Sequence, residues 1–116
     1  MSERGVRHIA LKTTDLDATE RFYIDVLGFE HMFPDEGMLF LQTPSGGDIL
    51  SFIGTEERFD PSAGGFDHFG IHVLESDWGQ LPAQLERAGV PIQGRRGKVA
   101  IFVEDPNGYT VELYKD

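Results

Sequence analysis

The chain has 116 residues, 40% hydrophobic and 26% charged, which is one domain's length and enough for a core of its own. It has no cysteine, so disulfides, zinc–thiolate sites and cysteine nucleophiles are excluded. Twenty acidic against ten basic residues give a formal net charge of -10, which opposes nucleic-acid binding and suits solubility or a cationic guest. The polar start, Met1 to Gly5, and the lack of any membrane-length apolar run lead us to expect a cytoplasmic protein without a leader or a membrane anchor.

In chain order, His8-Ile9-Ala10-Leu11-Lys12 alternates polar and apolar positions and predicts a strand. A helix is expected next, capped by Thr14 or Asp15, striped by Phe22, Tyr23, Val26 and Leu27, and stopped by Gly28. Three β-prone runs follow, at Phe29–Phe33, Met38–Gln42 and Asp48–Ile53, with Pro44-Ser45-Gly46-Gly47 as the turn before the last. Residues 54–65 contain Gly54, Pro61, Gly64, Gly65 and three acidic residues, and read as a connecting loop. The same order then recurs. His68-Phe69-Gly70-Ile71-His72 is a strand, and a second helix contains Trp78, Leu81, Leu85 and Ala88. Ser76 or Asp77 is its expected cap, Gly89 its stop, and Pro82 is compatible only with a first turn. Runs at Ile92–Gly94, Val99–Val103 and Tyr109–Tyr114 complete it, the last two joined by Asp105-Pro106-Asn107-Gly108.

The period is roughly sixty residues, and each half reads βαβββ. We therefore expect an α+β domain over 1–116, made of two tandem βαβββ modules (about 5–54 and 66–115) whose curled mixed sheet surrounds a cavity. Side chains alternate faces along a strand. Ile9 and Leu11, Phe69 and Ile71, and Val111 and Leu113 thus share one apolar face. His8, His68 and Glu112 lie on the other, at matching phase. Two imidazoles and a carboxylate suit a borderline divalent ion (Fe, Mn, Zn, Ni or Co) and leave positions open for water or substrate oxygens. His72 and Lys12, each four residues beyond a candidate ligand, are proton-transfer candidates, and Tyr114 is a hydrogen-bonding candidate on the same face. Ser51 also faces inward. Arg95 and Arg96, in the Gly94–Lys98 segment between two strands, can bind an anionic substrate group.

Taken together, His8-Ile9-Ala10-Leu11 with Asp15-Leu16-Asp17, Phe22 to Phe29, His68-Phe69-Gly70-Ile71-His72-Val73 and Asp105 to Leu113 resemble the vicinal oxygen chelate superfamily of glyoxalase I, extradiol dioxygenases, and fosfomycin- and bleomycin-resistance proteins. The resemblance implies paired βαβββ modules, usually in a homodimer, with metal ligands on the first and last strand of each half. The matching positions are His8, Ser51, His68 and Glu112. Because Ser51 stands where a four-ligand glyoxalase I holds a carboxylate, the resemblance implies a three-ligand set. Phe102, ten residues before Glu112, stands where three-ligand members often place a tyrosine, and is assigned to the substrate-binding wall. The functional expectation is a metal-dependent lyase or dioxygenase acting on a small oxygen-bearing molecule. The alternative is a bleomycin-resistance-like protein that sequesters a small molecule without catalysis.

Overall fold

The structure is a computed structural model that describes residues 4–33 and 36–116. It falls into two compact units, one up to Arg58 and the other from Phe59 onward, divided inside the 54–65 segment. Each unit has one four-stranded mixed sheet, so the fold is α+β with a repeated βαβββ module, and the two sheets are separate rather than one.

In the first unit, β1 (His8–Thr13) runs parallel to β4 (Ile49–Gly54), β3 (Met38–Gln42) antiparallel to β4, and β2 (Glu30–Phe33) antiparallel to β3, giving the order β1-β4-β3-β2. A parallel neighbour needs a long crossover, and the helical segment after β1 begins it. Asp15 caps α1 (Leu16–Glu20) by accepting the Ala18 N–H at 2.9 Å, while buried Thr13 and Thr19 join hydroxyls at 3.0 Å. The chain then widens into a π-helical turn over Arg21–Val26, marked by the Leu27 N–H donating to the Phe22 carbonyl at 3.1 Å. Sequence-adjacent Phe22 and Tyr23 are both buried, and Tyr23 packs on Phe52 with ring centroids 5.0 Å apart. Gly28, at φ +82, ends the helix in a left-handed conformation that suits glycine. Leu39, Leu41, Leu50 and Phe52 form the buried sheet face, each burial worth roughly 1.5–3 kcal/mol.

The second unit repeats the topology as β5-β8-β7-β6, with β5 (Phe69–His72), β6 (Gly94–Arg96), β7 (Ala100–Glu104) and β8 (Thr110–Tyr114). Its helical crossover differs from expectation. It begins at Glu75 without a side-chain cap, so neither Ser76 nor Asp77 caps it, and it breaks at Gly79-Gln80 into α2 (Glu75–Trp78) and α3 (Leu81–Arg87). Pro82 sits in the first turn of α3, where its missing N–H costs nothing. Leu81 and Leu85 are buried with Phe69, Ile101, Val103, Val111 and Leu113. The β7–β8 turn is held by buried Asp105, whose Oδ1 accepts the Asn107 and Tyr109 N–H groups at 2.9 Å each.

One segment is more regular than its sequence indicated. Gly94–Arg96 is itself strand β6, paired Gly94↔Phe102, Arg95↔Ile101 and Arg96↔Ala100, so only 97–99 turn the chain. Arg95 and Arg96 therefore face opposite sides of the sheet.

Candidate functional site

Register places the candidate residues of each unit. In the first, Ala10 pairs with Ser51, so His8 stands two residues back on the same face. Its Nε2 meets Ser51 Oγ at 3.0 Å. Ser51 is buried, and its hydroxyl also lies 3.5 Å from the Ile9 carbonyl. Lys12 follows on that face and is exposed.

The second unit repeats this with different chemistry. Gly70 pairs with Glu112, and His68 stands two residues back, immediately before β5. His68 Nε2 lies 3.4 Å from Glu112 Oε1, and His68 Nδ1 lies 2.6 Å from Asp67 Oδ2. Arg96 donates through Nη2 at 2.5 Å and Nε at 3.2 Å to the other oxygen of Glu112, Oε2. Phe102 stands edge-on to His68, ring centroids 5.6 Å apart, and pairs with Glu112 in the β7–β8 ladder.

These contacts set the protonation of the pair. The hydrogen bond to Asp67, aided by the charges of Asp67 and Glu112, raises the His68 pKa against a smaller desolvation effect. The hydrogen bond from Arg96, followed by the Arg96 and His68 charges, holds Glu112 below the usual carboxylate range. Glu112 is thus an anion at neutral pH. A neutral His68 that donates Nδ1–H to Asp67 turns its Nε2 lone pair toward that anion, an arrangement that calls for a proton or another cation between them.

The pair fits two ligand positions of a divalent ion. Nitrogen and oxygen ligands about 2.0–2.2 Å from a tetrahedral ion stand roughly 3.3–3.5 Å apart, and Nε2 and Oε1 are 3.4 Å apart. Donation of the second ring N–H to a carboxylate is the usual support for a metal-bound histidine. Among the described residues, no group of three or more His, Asp or Glu side chains stands together as a metal cage. The fit therefore concerns a pair.

The remaining candidates divide. His72 and Tyr114 stack edge-on with centroids 5.4 Å apart, and His72 Nε2 reaches Asp116 Oδ1 at 3.2 Å. Tyr114 also explains Gly70, because a Cβ there would lie 3.0 Å from the tyrosine Cε1. Arg96, expected to bind substrate, is engaged by Glu112. Arg95 lines a cavity with α2 and α3, on the other side of the sheet. Asp67 was missed from sequence, although its place directly before His68 was a usable signal.

The paired modules and their matching inner positions define a known class. Residues 5–113 match the Glyoxalase/Bleomycin resistance protein/Dioxygenase superfamily, and the chain belongs to this family, within the vicinal oxygen chelate superfamily. The chain is 28% identical to a probable chloroplastic lactoylglutathione lyase of Arabidopsis thaliana over 96% of its own length, yet spans only 35% of that protein. It is 25% identical to a probable lactoylglutathione lyase of Vibrio parahaemolyticus, covering all of this chain and 94% of the other. A glyoxalase/dioxygenase of known structure from Nostoc punctiforme, 23% identical, superposes with a TM-score of 0.81 over 97% of this chain and 91% of that one. No described helix is long and apolar enough to cross a membrane.

Proposed function

We propose that this chain is a metal-dependent lyase of the glyoxalase type acting on a small molecule with neighbouring oxygens. His68 and Glu112 are two ligands of a divalent ion. His8, at the matching place in the repeat, is proposed as a metal ligand of the first module on sequence grounds alone. The observation that supports this reading best is the 3.4 Å approach of His68 Nε2 to Glu112 Oε1, with Asp67 behind the imidazole. The names of the relatives favour a lyase over a dioxygenase. Ser51, hydrogen bonded to His8, leaves the first module without a carboxylate at its counterpart of Glu112.

When bound, such an ion supplies Lewis acidity and open positions for substrate oxygens. The chain's own residues do the rest. Asp67 fixes the His68 tautomer and Phe102 its ring plane, while Arg96 holds the Glu112 carboxylate in place. His72 Nε2, now on Asp116, is the proposed proton-transfer atom, with Tyr114 against its ring; Lys12 is its proposed counterpart in the first module. Ser51 and Phe102 are proposed to contact substrate. A cytoplasmic homodimer completes the proposal, and its oligomeric state is measurable by light scattering.

A second reading, sequestration of a small molecule without catalysis, is favoured by one observation: Arg96 already neutralises Glu112. Metal analysis of protein purified without added ions separates the two. Near-stoichiometric metal that is lost in Glu112→Gln supports the lyase, whereas a metal-free protein that tightly binds a cationic compound supports sequestration.

A further inference from the structure

A cavity lies on the other face of the same sheet. The alternation that turns Arg96 toward Glu112 turns Arg95 to the side of Ile101, its ladder partner, where the helices pack. There a cavity of about 330 Å³ is lined by Trp78, Leu81 and Pro82 from the helices and by Arg95, Lys98 and Ile101 from the β6–β7 hairpin. Small-molecule pockets start at about this size.

Its chemistry is lopsided. One wall is apolar and aromatic, and the rim has two cations in a chain of net charge -10. Among the described residues, neither Arg95 nor Lys98 makes an ion pair or side-chain hydrogen bond, whereas Arg96 and Lys115 are engaged by Glu112 and Glu75. Two unneutralised cations beside buried Leu81 and Ile101 and half-buried Trp78 match one kind of guest: an apolar body ending in a carboxylate. The guanidinium fork suits a carboxylate in two-point contact, and a lysine adds a point charge.

We infer that the groove between α2–α3 and the β6–β7 hairpin binds small aromatic monocarboxylates, with the carboxylate on Arg95 and Lys98 and the ring against Trp78. This site is separate from the inner-face pair and does not depend on the lyase reading.

Trp78 is the only tryptophan, so its fluorescence reports this groove alone. The probe is para-tert-butylbenzoate, with para-tert-butylbenzyl alcohol as the neutral analogue. The expected result is a saturable change with the acid, binding at least about tenfold weaker for the alcohol, and a similar loss for the acid in the doubly substituted Arg95→Gln, Lys98→Gln protein. Both side chains are exposed, and the acid–alcohol comparison on the unaltered protein stands without any variant. His68→Ala should leave acid binding unchanged. Equal binding of acid and alcohol, no saturation at millimolar acid, an unchanged affinity in the double variant, or loss of binding in His68→Ala would each overturn the inference.

Discussion

The two modules are the same fold with different chemistry at one position. In the first, His8 meets the hydroxyl of Ser51. In the second, His68 faces Glu112, and Asp67, Arg96 and Phe102 surround the pair. Strand order and register are shared, and Ala10↔Ser51 corresponds to Gly70↔Glu112. A single exchange of serine for carboxylate, together with neighbours that fix its charge, turns a histidine–serine contact into a candidate ligand pair. A repeated scaffold can therefore keep its core constant while one copy specialises.

The largest expected effect tests the constant half of this comparison. Phe52 and Leu113 hold equivalent places, paired with Leu11 and Ile71, and both are almost fully buried. Phe52→Ala should cost about 3–5 kcal/mol and Leu113→Ala about 2–5 kcal/mol in urea unfolding. A loss below about 1 kcal/mol at either position would mean that the two cores are not equivalent.

The next effect sharpens the specialised half. Asp67→Asn keeps the shape but weakens the acceptor that fixes the His68 tautomer. Ion affinity, measured by competition with a chelating dye, should fall about 10–100-fold. An unchanged affinity would remove Asp67 from the account.

A smaller effect concerns the floor of the pair. The first module has Ala10 where the second has Gly70, because only the second places a tyrosine ring there: a Cβ on Gly70 would lie 3.0 Å from Tyr114 Cε1. Gly70→Ala should cost about 1 kcal/mol, since the ring can move, and Ala10→Gly should show no comparable relief of crowding. Unfolding midpoints of the two variants check this.

Much of this was legible in the sequence, for identifiable reasons. Alternation at His8–Lys12, His68–His72 and Thr110–Tyr114 fixes face and phase, and the turn residues Asp105-Pro106-Asn107-Gly108 mark the last hairpin. The π-helical turn at Arg21–Val26 was not legible, because Phe22, Tyr23, Val26 and Leu27 read as the stripe of an ordinary α-helix. Nor was the break at Gly79-Gln80, since Trp78, Leu81 and Leu85 keep helical spacing across it. Arg96 was expected to bind substrate, and its guanidinium contacts Glu112. Strand phase fixes the face a guanidinium occupies, whereas rotamer and local charge decide whether it meets substrate or Glu112.

The central claim is that the carboxylate of Glu112 makes the second module the metal-binding copy. Titration of chelator-treated protein with Zn²⁺, Mn²⁺ and Ni²⁺ by calorimetry, comparing Glu112→Gln with Ser51→Ala, tests it directly. The account predicts near-stoichiometric uptake of at least one of these ions by the unaltered protein and by Ser51→Ala, and loss of that uptake in Glu112→Gln. Full uptake by Glu112→Gln, or none by the unaltered protein at saturating ion, would contradict it.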